Sequence, residues 1–341
     1  MKILYSAGNH IDNNQQLLRF IQHSTEHEIK IAAYVKSSDS FTHVHWTLDA
    51  LFNRLTPKNP QEISELLGHT GAPKTITQHT EILLKEVDDF EPDLIISNAE
   101  PVLANLAKAL SVKLWYCSPL HLLTGIEWDK GDLKYLSLLA PIRKLLEKLP
   151  VADKTLIYSP FGDLTHCPTL KTGYEWIQPY WIPVENKSRT QNVAMVPNKT
   201  RTSKLTKLLN CVNFDLTLFT HFSDSFTHMQ TKLIDDLVSY QEALSNCNWF
   251  FSTGDTSYLA DAIYNEIPKV CVAPSLDEPE NLLNSILCKS YGLGDDIAQI
   301  ELMEKYAVAE LDKSQSVPNK QRYSKHIRSL RLDEKVSELC M

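Results

Sequence analysis

The stretch from Ser252 to Asn281, STGDTSYLADAIYNEIPKVCVAPSLDEPEN, gathers residues able to hold a polar, anionic ligand. It reads as a turn (Thr253, Gly254, Asp255), a helix starting at Thr256, an Ile267-Pro268 step and an apolar strand ending at Pro274. An acidic loop follows, with Asp277, Glu278 and then Asn281. A helix start leaves backbone N–H groups without intrahelical partners, so Thr256, Ser257 and the residues up to Leu259 can offer donors to a phosphate-like anion. Asp261 on that helix, and Asp277 and Glu278 in a loop after a strand, can accept hydrogen bonds from hydroxyl groups. Asp255 opposes an anion unless it points away or caps the helix. A second chemistry lies near the amino terminus, in MKILYSAGNHIDNN, where Asn9, His10 and Asp12 follow the first apolar run. His10 can take a proton from a hydroxyl as it attacks, and the carboxylate of Asp12 can do the same. The alternatives stay open: His10 as a loop residue capping the next helix, and Asp12 as the N-cap of NNQQLLRF.

Further residues stand at expected strand ends. Glu100 precedes a helix and either orients His10, contacts the ligand that His10 would deprotonate, or serves as a first-turn acid favoured by the helix dipole. Ser118 and His121, in SPLHLL, are candidate ligand contacts, with a structural role open for His121. His43, His45 and Trp46 fall in an irregular part of the chain. No His, Cys and Asp set has the spacing of metal ligands, so no metal is expected. The seven cysteines, at 117, 167, 211, 247, 271, 288 and 340, form no C-x-x-C pair and read as reduced thiols. Two stretches carry Lys and Arg without acids: 187–207, with Lys199, Arg201 and Lys204 in its loop, and 320–331. Solvated faces or a local anionic partner both account for them. Trp128, Trp176 and Trp181 flank a Pro-rich segment and read as packing between domains, with stacking on a ligand as the alternative.

Placing these residues needs a scaffold of 341 residues, enough for two domains of roughly 150 to 180 residues each. Apolar residues at 43% and charged residues at 22% are ordinary for a globular protein. A net charge of −8 argues against nucleic-acid binding by the whole surface, though not by a local patch. No signal peptide opens the chain and no apolar run approaches about 18 residues, so a cytoplasmic protein without a transmembrane segment is expected. KILYSAG, HEIKIAAYV, DLIISN and VKLWYCSP read as buried parallel strands separated by helices, among them NNQQLLRFIQHST and EPVLANLAKAL. KTLIYSP is strand-like. A second alternating series runs through QNVAMVP, FDLTLFTHF, NWFFSTG and PKVCVAP, with HMQTKLIDDLVSYQEALSNC and TSYLADAIYN as helices. Alternation of this kind implies doubly wound parallel sheets. The expected domains are 1–165 and 190–310, joined by a crossing at 166–189 and followed by a basic tail at 311–341 that packs back on the first. Ligands bind such sheets at the carboxyl ends of strands.

These features together resemble the GT-B glycosyltransferases, over roughly residues 1 to 300. The resemblance is carried by MKILYSAGNH, by SNAEP (Asn98 to Pro101), and by the turn, helix, Pro step and acidic loop from Ser252 to Asn281. It departs at Thr253, where the family has His, at Asp255, where it has a second Gly, and at Glu278, where it has Gln. The resemblance implies an α/β fold of two Rossmann-like domains with an interdomain cleft. It implies transfer of a sugar from a nucleoside diphosphate sugar, a UDP-sugar in the first instance, to a hydroxyl acceptor, with inversion and without metal or other cofactor. On this view Thr253, Gly254, Thr256, Ser257, Asp261, Asp277, Glu278 and Asn281 hold the donor, helped by Lys199, Arg201 or Lys204. His10, Asp12 and Glu100 serve catalysis, and Asn9, Ser118 and His121 meet the acceptor. The acceptor is an envelope glycan, a lipid or a small molecule. The alternatives are hydroxymethylated bases in DNA, as in phage enzymes, reached through the basic stretches 187–207 and 320–331, or a nucleotide-sugar epimerase or non-catalytic protein of the same fold.

Overall fold

The computed structural model describes residues 1–6, 15–33, 44–47, 87–99, 101–128, 136–163, 167–185, 187–196, 216–220, 230–233, 236–272, 279–291 and 329–340. They form two compact units. Unit 1 is Met1–Gly162, Pro168–Tyr180 and Arg328–Met341; unit 2 is Asp163–Cys167 and Trp181–Ile327.

Unit 1 is built on a seven-stranded sheet: β1 (Lys2–Ser6), β2 (Glu28–Ala33), β3 (Val44–Thr47), β4 (Leu94–Ser97), β5 (Lys113–Cys117), β6 (Lys154–Tyr158) and β7 (Tyr174–Ile177). The order is β3-β2-β1-β4-β5-β6-β7 and every pairing is parallel. The central strands are apolar on both sides because both sheet faces are covered. Ile3, Tyr5, Leu94, Ile96, Trp115 and Cys117 pack on one face with Leu17 and Phe20 of the helix Gln15–His23. Leu4, Ile95, Leu114 and Tyr116 pack on the other, with Leu103, Ala104, Leu106 and Ala107 of the helix Pro101–Leu110. The chain leaves β1 towards β2 and β3, then returns to place β4 on the other side of β1. The β1/β4 boundary is therefore the topological switch point, where a ligand is expected at the carboxyl ends.

Unit 2 has five parallel strands, β8 (Gln191–Val196), β9 (Thr217–Thr220), β10 (Gln230–Leu233), β11 (Cys247–Ser252) and β12 (Lys269–Val272), in the order β10-β9-β8-β11-β12. Its switch point lies between β8 and β11. The sequence reading expects one helix over HMQTKLIDDLVSYQEALSNC. The structure divides that segment: Gln230–Leu233 pairs with β9, and the helix begins at Leu237, after Asp236, whose side chain accepts from the Ser239 N–H. Pairing with β9 satisfies backbone groups that a longer helix would have satisfied internally, and Asp236 caps the shorter one. The structure also finds β3 within the irregular stretch and β7 within the expected crossing.

The last described segment belongs to unit 1. Gln178 donates its N–H to the Leu330 carbonyl at 2.9 Å. Leu332 and Val336 of the helix Leu332–Ser337 join Ile177 and Tyr180 in the first core face. Tyr180 Oη donates to Asp333 Oδ1 at 2.6 Å, Arg331 holds both oxygens of Asp333 at 3.2 and 3.1 Å, and Gln16 bridges the backbone N–H and carbonyl of Tyr180 at 2.7 and 3.0 Å. Burial and the neighbouring carboxylate push the Tyr180 phenol well above its ordinary range. Asp333→Ala leaves a buried phenol and a guanidinium without their acceptor and should cost about 2 kcal/mol, against about 1 kcal/mol for Tyr180→Phe. A double-mutant cycle by urea unfolding measures the coupling between them.

Candidate functional site

Unit 2 places the Thr253-Gly254-Asp255 turn directly after β11, at its switch point. Ser252 pairs with Met195 of β8 on one side and Val272 of β12 on the other. Ser252 Oγ accepts from the Gly254 N–H at 3.0 Å. Gly254 has φ +99°, and a Cβ there would lie 2.8 Å from the Asn281 carbonyl oxygen and 2.9 Å from Val272 Cγ1. The turn is thus pressed against the start of the helix Pro279–Ser290, an approach that only a residue without a side chain permits.

That contact gathers an unusual set of polar atoms. Asn284 Nδ2 donates to the Gly254 carbonyl at 2.8 Å and to Thr256 Oγ1 at 2.9 Å. Thr253 Oγ1, Asn281 Nδ2, Asn284 Oδ1 and Ser285 Oγ find no partner among the described residues, although the four residues are at most 2% exposed. Buried polar groups without partners cost about 1–3 kcal/mol each and cluster where an ion, water or ligand supplies the missing bonds. Asn281, Asn284 and Ser285 occupy positions i, i+3 and i+4, one face of their helix. Asn281 is among the residues expected from the sequence and Asn284 and Ser285 are not, although NLLNSILC carries them as a polar stripe on an otherwise apolar helix.

At the start of the helix Thr256–Tyr264 the N–H groups of Thr256, Ser257 and Leu259 are already engaged. Asp255 is the N-cap and accepts from the Ser257 N–H at 3.0 Å. Glu280 Oε1 accepts from the Thr256 N–H at 3.2 Å and from Thr256 Oγ1 at 2.5 Å. The Leu259 N–H takes its ordinary bond to the Asp255 carbonyl. Two carboxylates therefore answer the positive end of this helix. Asp255 resolves the repulsion expected of it by capping.

Asp261 is fully buried and spends both oxygens inside unit 2. Oδ1 accepts from the Ile182 N–H at 2.6 Å and Oδ2 from Tyr240 Oη at 3.1 Å. The role expected for Asp261, accepting from a donor hydroxyl, thus meets a carboxylate already engaged by the fold. One turn on, Asn265 brackets the same segment, accepting from the Val184 N–H at 3.0 Å and donating to the Ile182 carbonyl at 2.8 Å. Tyr264 Oη donates to Asp163 at 2.6 Å, and Trp181 packs on the Tyr264 ring with centroids 5.4 Å apart. The helix that starts at the turn ends as a clamp on the chain entering unit 2.

In unit 1 a row of buried hydroxyls marks the carboxyl ends of four neighbouring strands: Ser6 ending β1, Ser97 ending β4, Ser118 after β5 and Ser159 after β6. Ser6 and Ser97 are direct partners across the switch point, and Ser6 Oγ has no partner among the described residues. Ser118 is 1% exposed and caps the 3₁₀ turn Pro119–His121 by accepting from the Leu120 N–H at 3.3 Å. His121 packs on Tyr116 at 4.9 Å, with Nε2 unpartnered among the described residues. Both side chains are thus built into the turn.

Burial lowers the His121 pKa from 6.5 to about 4. The folded chain therefore holds His121 neutral while the unfolded chain takes up a proton, so stability falls as pH drops from about 6.5 to about 4. At 1.36 kcal/mol per pH unit the loss is about 3 kcal/mol. His121→Phe should keep the contact with Tyr116 and flatten that acid limb, as read from urea midpoints between pH 7 and 4. An unchanged limb would mean that His121 charges in the fold.

His10, Asp12, Glu100, Asn9, Lys199, Arg201, Lys204, Asp277 and Glu278 lie outside the described residues. Of the basic stretches, Arg189 donates to the Glu266 carbonyl at 2.6 Å and Arg331 pairs with Asp333. No helix among the described residues is long and apolar enough to cross a membrane.

Comparison with solved structures identifies this architecture. The glycosyltransferase SsfS6 of Streptomyces sp. SF2575, complexed with thymidine diphosphate, superposes with a TM-score of 0.63 at 14% identity, covering 100% of this chain and 99% of its own. The spinosyn rhamnosyltransferase SpnG gives a TM-score of 0.61 at 13% identity, covering 99% of each chain. The glycosyltransferase VinC, complexed with dTDP, gives 0.57 at 13% identity, covering 100% of this chain and 98% of its own. The chain has the GT-B fold, two Rossmann-like units, in a divergent sequence. No protein-family model matches it, and no curated protein matches it in sequence.

Proposed function

We propose that this protein is a glycosyltransferase that moves a sugar from a nucleoside diphosphate sugar to a hydroxyl acceptor. The observation that carries the proposal is the Gly254 turn at the unit 2 switch point, where four buried polar side chains, in the turn and in the helix packed on it, lack partners among the described residues. Such groups suit a polar ligand whose hydroxyls and phosphates complete their bonds. That SsfS6, SpnG and VinC have all been crystallised with thymidine diphosphate supports a nucleoside diphosphate as the donor's leaving group. Unit 2 would then hold the donor through Thr253, Gly254, Thr256, Asn281, Asn284 and Ser285, with Asp277 and Glu278 on the sugar and a cation of the 199–204 loop on the phosphates. Unit 1 would receive the acceptor at the carboxyl ends of β1 and β4. His10, or Asp12 in its place, would take the acceptor proton as the hydroxyl attacks the anomeric carbon, with inversion and without a metal.

A non-catalytic protein of the same fold is the second reading, and it has its own observation: Asp255 and Glu280 already occupy the helix start. A thermal-shift screen against UDP, TDP and their sugars, with and without a duplex bearing hydroxymethylcytosine, separates the two. A ligand that prefers the native state raises the melting temperature. A selective rise with one nucleotide supports the transferase, and a further, salt-sensitive rise with the duplex would extend the acceptor to DNA. No rise with any nucleotide favours the non-catalytic reading.

A further inference from the structure

The carboxylate of Glu280 sits where an incoming phosphate would seek its donors. One oxygen, Oε1, receives both the backbone N–H and the hydroxyl of Thr256, at 3.2 and 2.5 Å. Both groups belong to the first residue of the helix, and they are a backbone donor and a hydroxyl donor turned to a single anionic oxygen. That is the geometry with which proteins bind a phosphate oxygen. The hydroxyl is fixed from its other side by Asn284 Nδ2 at 2.9 Å, so it must donate outward. Asn284 Oδ1, on the same amide, and Thr253 Oγ1, three residues before Thr256, are buried without partners among the described residues. The seat is therefore formed, held from behind and bordered by unsatisfied polar atoms, while the anion in it is a side chain of the protein. Glu280 lies 24 residues along the chain, in the first turn of the helix Pro279–Ser290. Emptying the seat requires Glu280 to take another rotamer.

We propose that Glu280 is a specificity-determining residue: it competes with the diphosphate for Thr256 and so sets how much of the donor's affinity comes from its phosphates. This rests on the nucleotide-sugar reading above. With Glu280 in place, the diphosphate must displace a carboxylate to reach Thr256, so its charge contributes little net affinity. Binding then leans on the neutral parts of the donor, the nucleoside and sugar, and on whichever cation approaches the phosphates from outside the turn. Removing the charge of Glu280 releases the seat and shifts the balance towards the phosphates.

The test compares wild type, Glu280→Gln and Glu280→Ala by isothermal titration with TDP, UDP, thymidine and uridine. Circular dichroism and the melting temperature establish that each variant is folded. The expected result is diphosphate binding at least tenfold tighter in both variants, nucleoside binding unchanged, and a gap that narrows at high salt. Glu280→Asp, which keeps the charge, should stay within about threefold of wild type. Equal or weaker diphosphate binding in the variants, with wild type still binding, overturns the role of Glu280 and leaves the donor reading intact. Failure of every folded protein to bind either diphosphate overturns the donor reading, and this proposal with it.

Discussion

Gly254→Ala is expected to destabilise unit 2 by about 4 kcal/mol and to lower nucleoside diphosphate binding at least tenfold. A side chain in the left-handed region costs about 1–2 kcal/mol on conformation alone. The rest comes from space: the new methyl would sit 2.8 Å from the Asn281 carbonyl oxygen and 2.9 Å from Val272 Cγ1. The carbonyl is backbone in a helical turn and cannot swing aside as a flexible side chain would. Relief requires the turn to lift from the helix Pro279–Ser290, which separates Asn284 from Gly254 and Thr256. Gly173 is the internal control. Its φ is +89°, yet no described atom lies within 4 Å of the position its methyl would take. Gly173→Ala should therefore cost only the conformational part. Urea unfolding of both variants, with titration of TDP and UDP, measures the difference; equal losses would show that space at Gly254 does not matter.

Asp261→Ala is expected to have a comparable effect on stability, about 3–4 kcal/mol. The carboxylate is fully buried, and its loss strands the Ile182 N–H and the Tyr240 hydroxyl. Each donor deprived of its acceptor costs about 1–3 kcal/mol. Asp261→Asn should fall between, because its amide can accept from one donor while turning an NH₂ group towards the other. Hydrogen exchange supplies a local readout. The Ile182 amide should be protected in wild type and exchange much faster in Asp261→Ala. Slow exchange in the variant would show that the clamp on residues 182–184 does not depend on Asp261.

The strands legible in the sequence are those whose physics is simplest. β1, β4 and β5 lie inside a parallel sheet with both faces covered, so they read as unbroken apolar runs. The three missed strands, β3, β7 and β10, are all sheet edges. VHWT, YEWI and QTKL mix polar and apolar residues, as edge strands can, whereas β12, also an edge, keeps the apolar run KVCV and is legible. The candidate site divides in the same way. The helix start at Thr256 and Asp255 as a cap follow from local pattern, while Gly254 and Asn281 enter through the resemblance to GT-B enzymes. Glu280 and Asn284 follow from neither, because their contacts to Thr256 span 24 and 28 residues and exist only once the two helices meet. The engagement of Asp261 by Ile182 and Tyr240 spans 79 and 21 residues and is equally invisible to a window of sequence.

Unit 1 takes its last core residues from chain that follows unit 2, and this has a consequence for synthesis on the ribosome. Residues 181–328 must be translated after Tyr180 before Leu332 and Val336 can cover it. At about 5–20 residues per second, a stretch of roughly 150 residues takes about 7–30 s. During that interval the nascent sheet carries Ile177 and Tyr180 without Leu332 and Val336 against them, and Asp333 does not yet exist to accept from the phenol. Unit 2, apart from residues 163–167, is contiguous and can fold as it emerges. The order of folding is therefore expected to reverse the order of translation, with the second unit closing first and the first waiting as a client for chaperones until the end of the chain arrives.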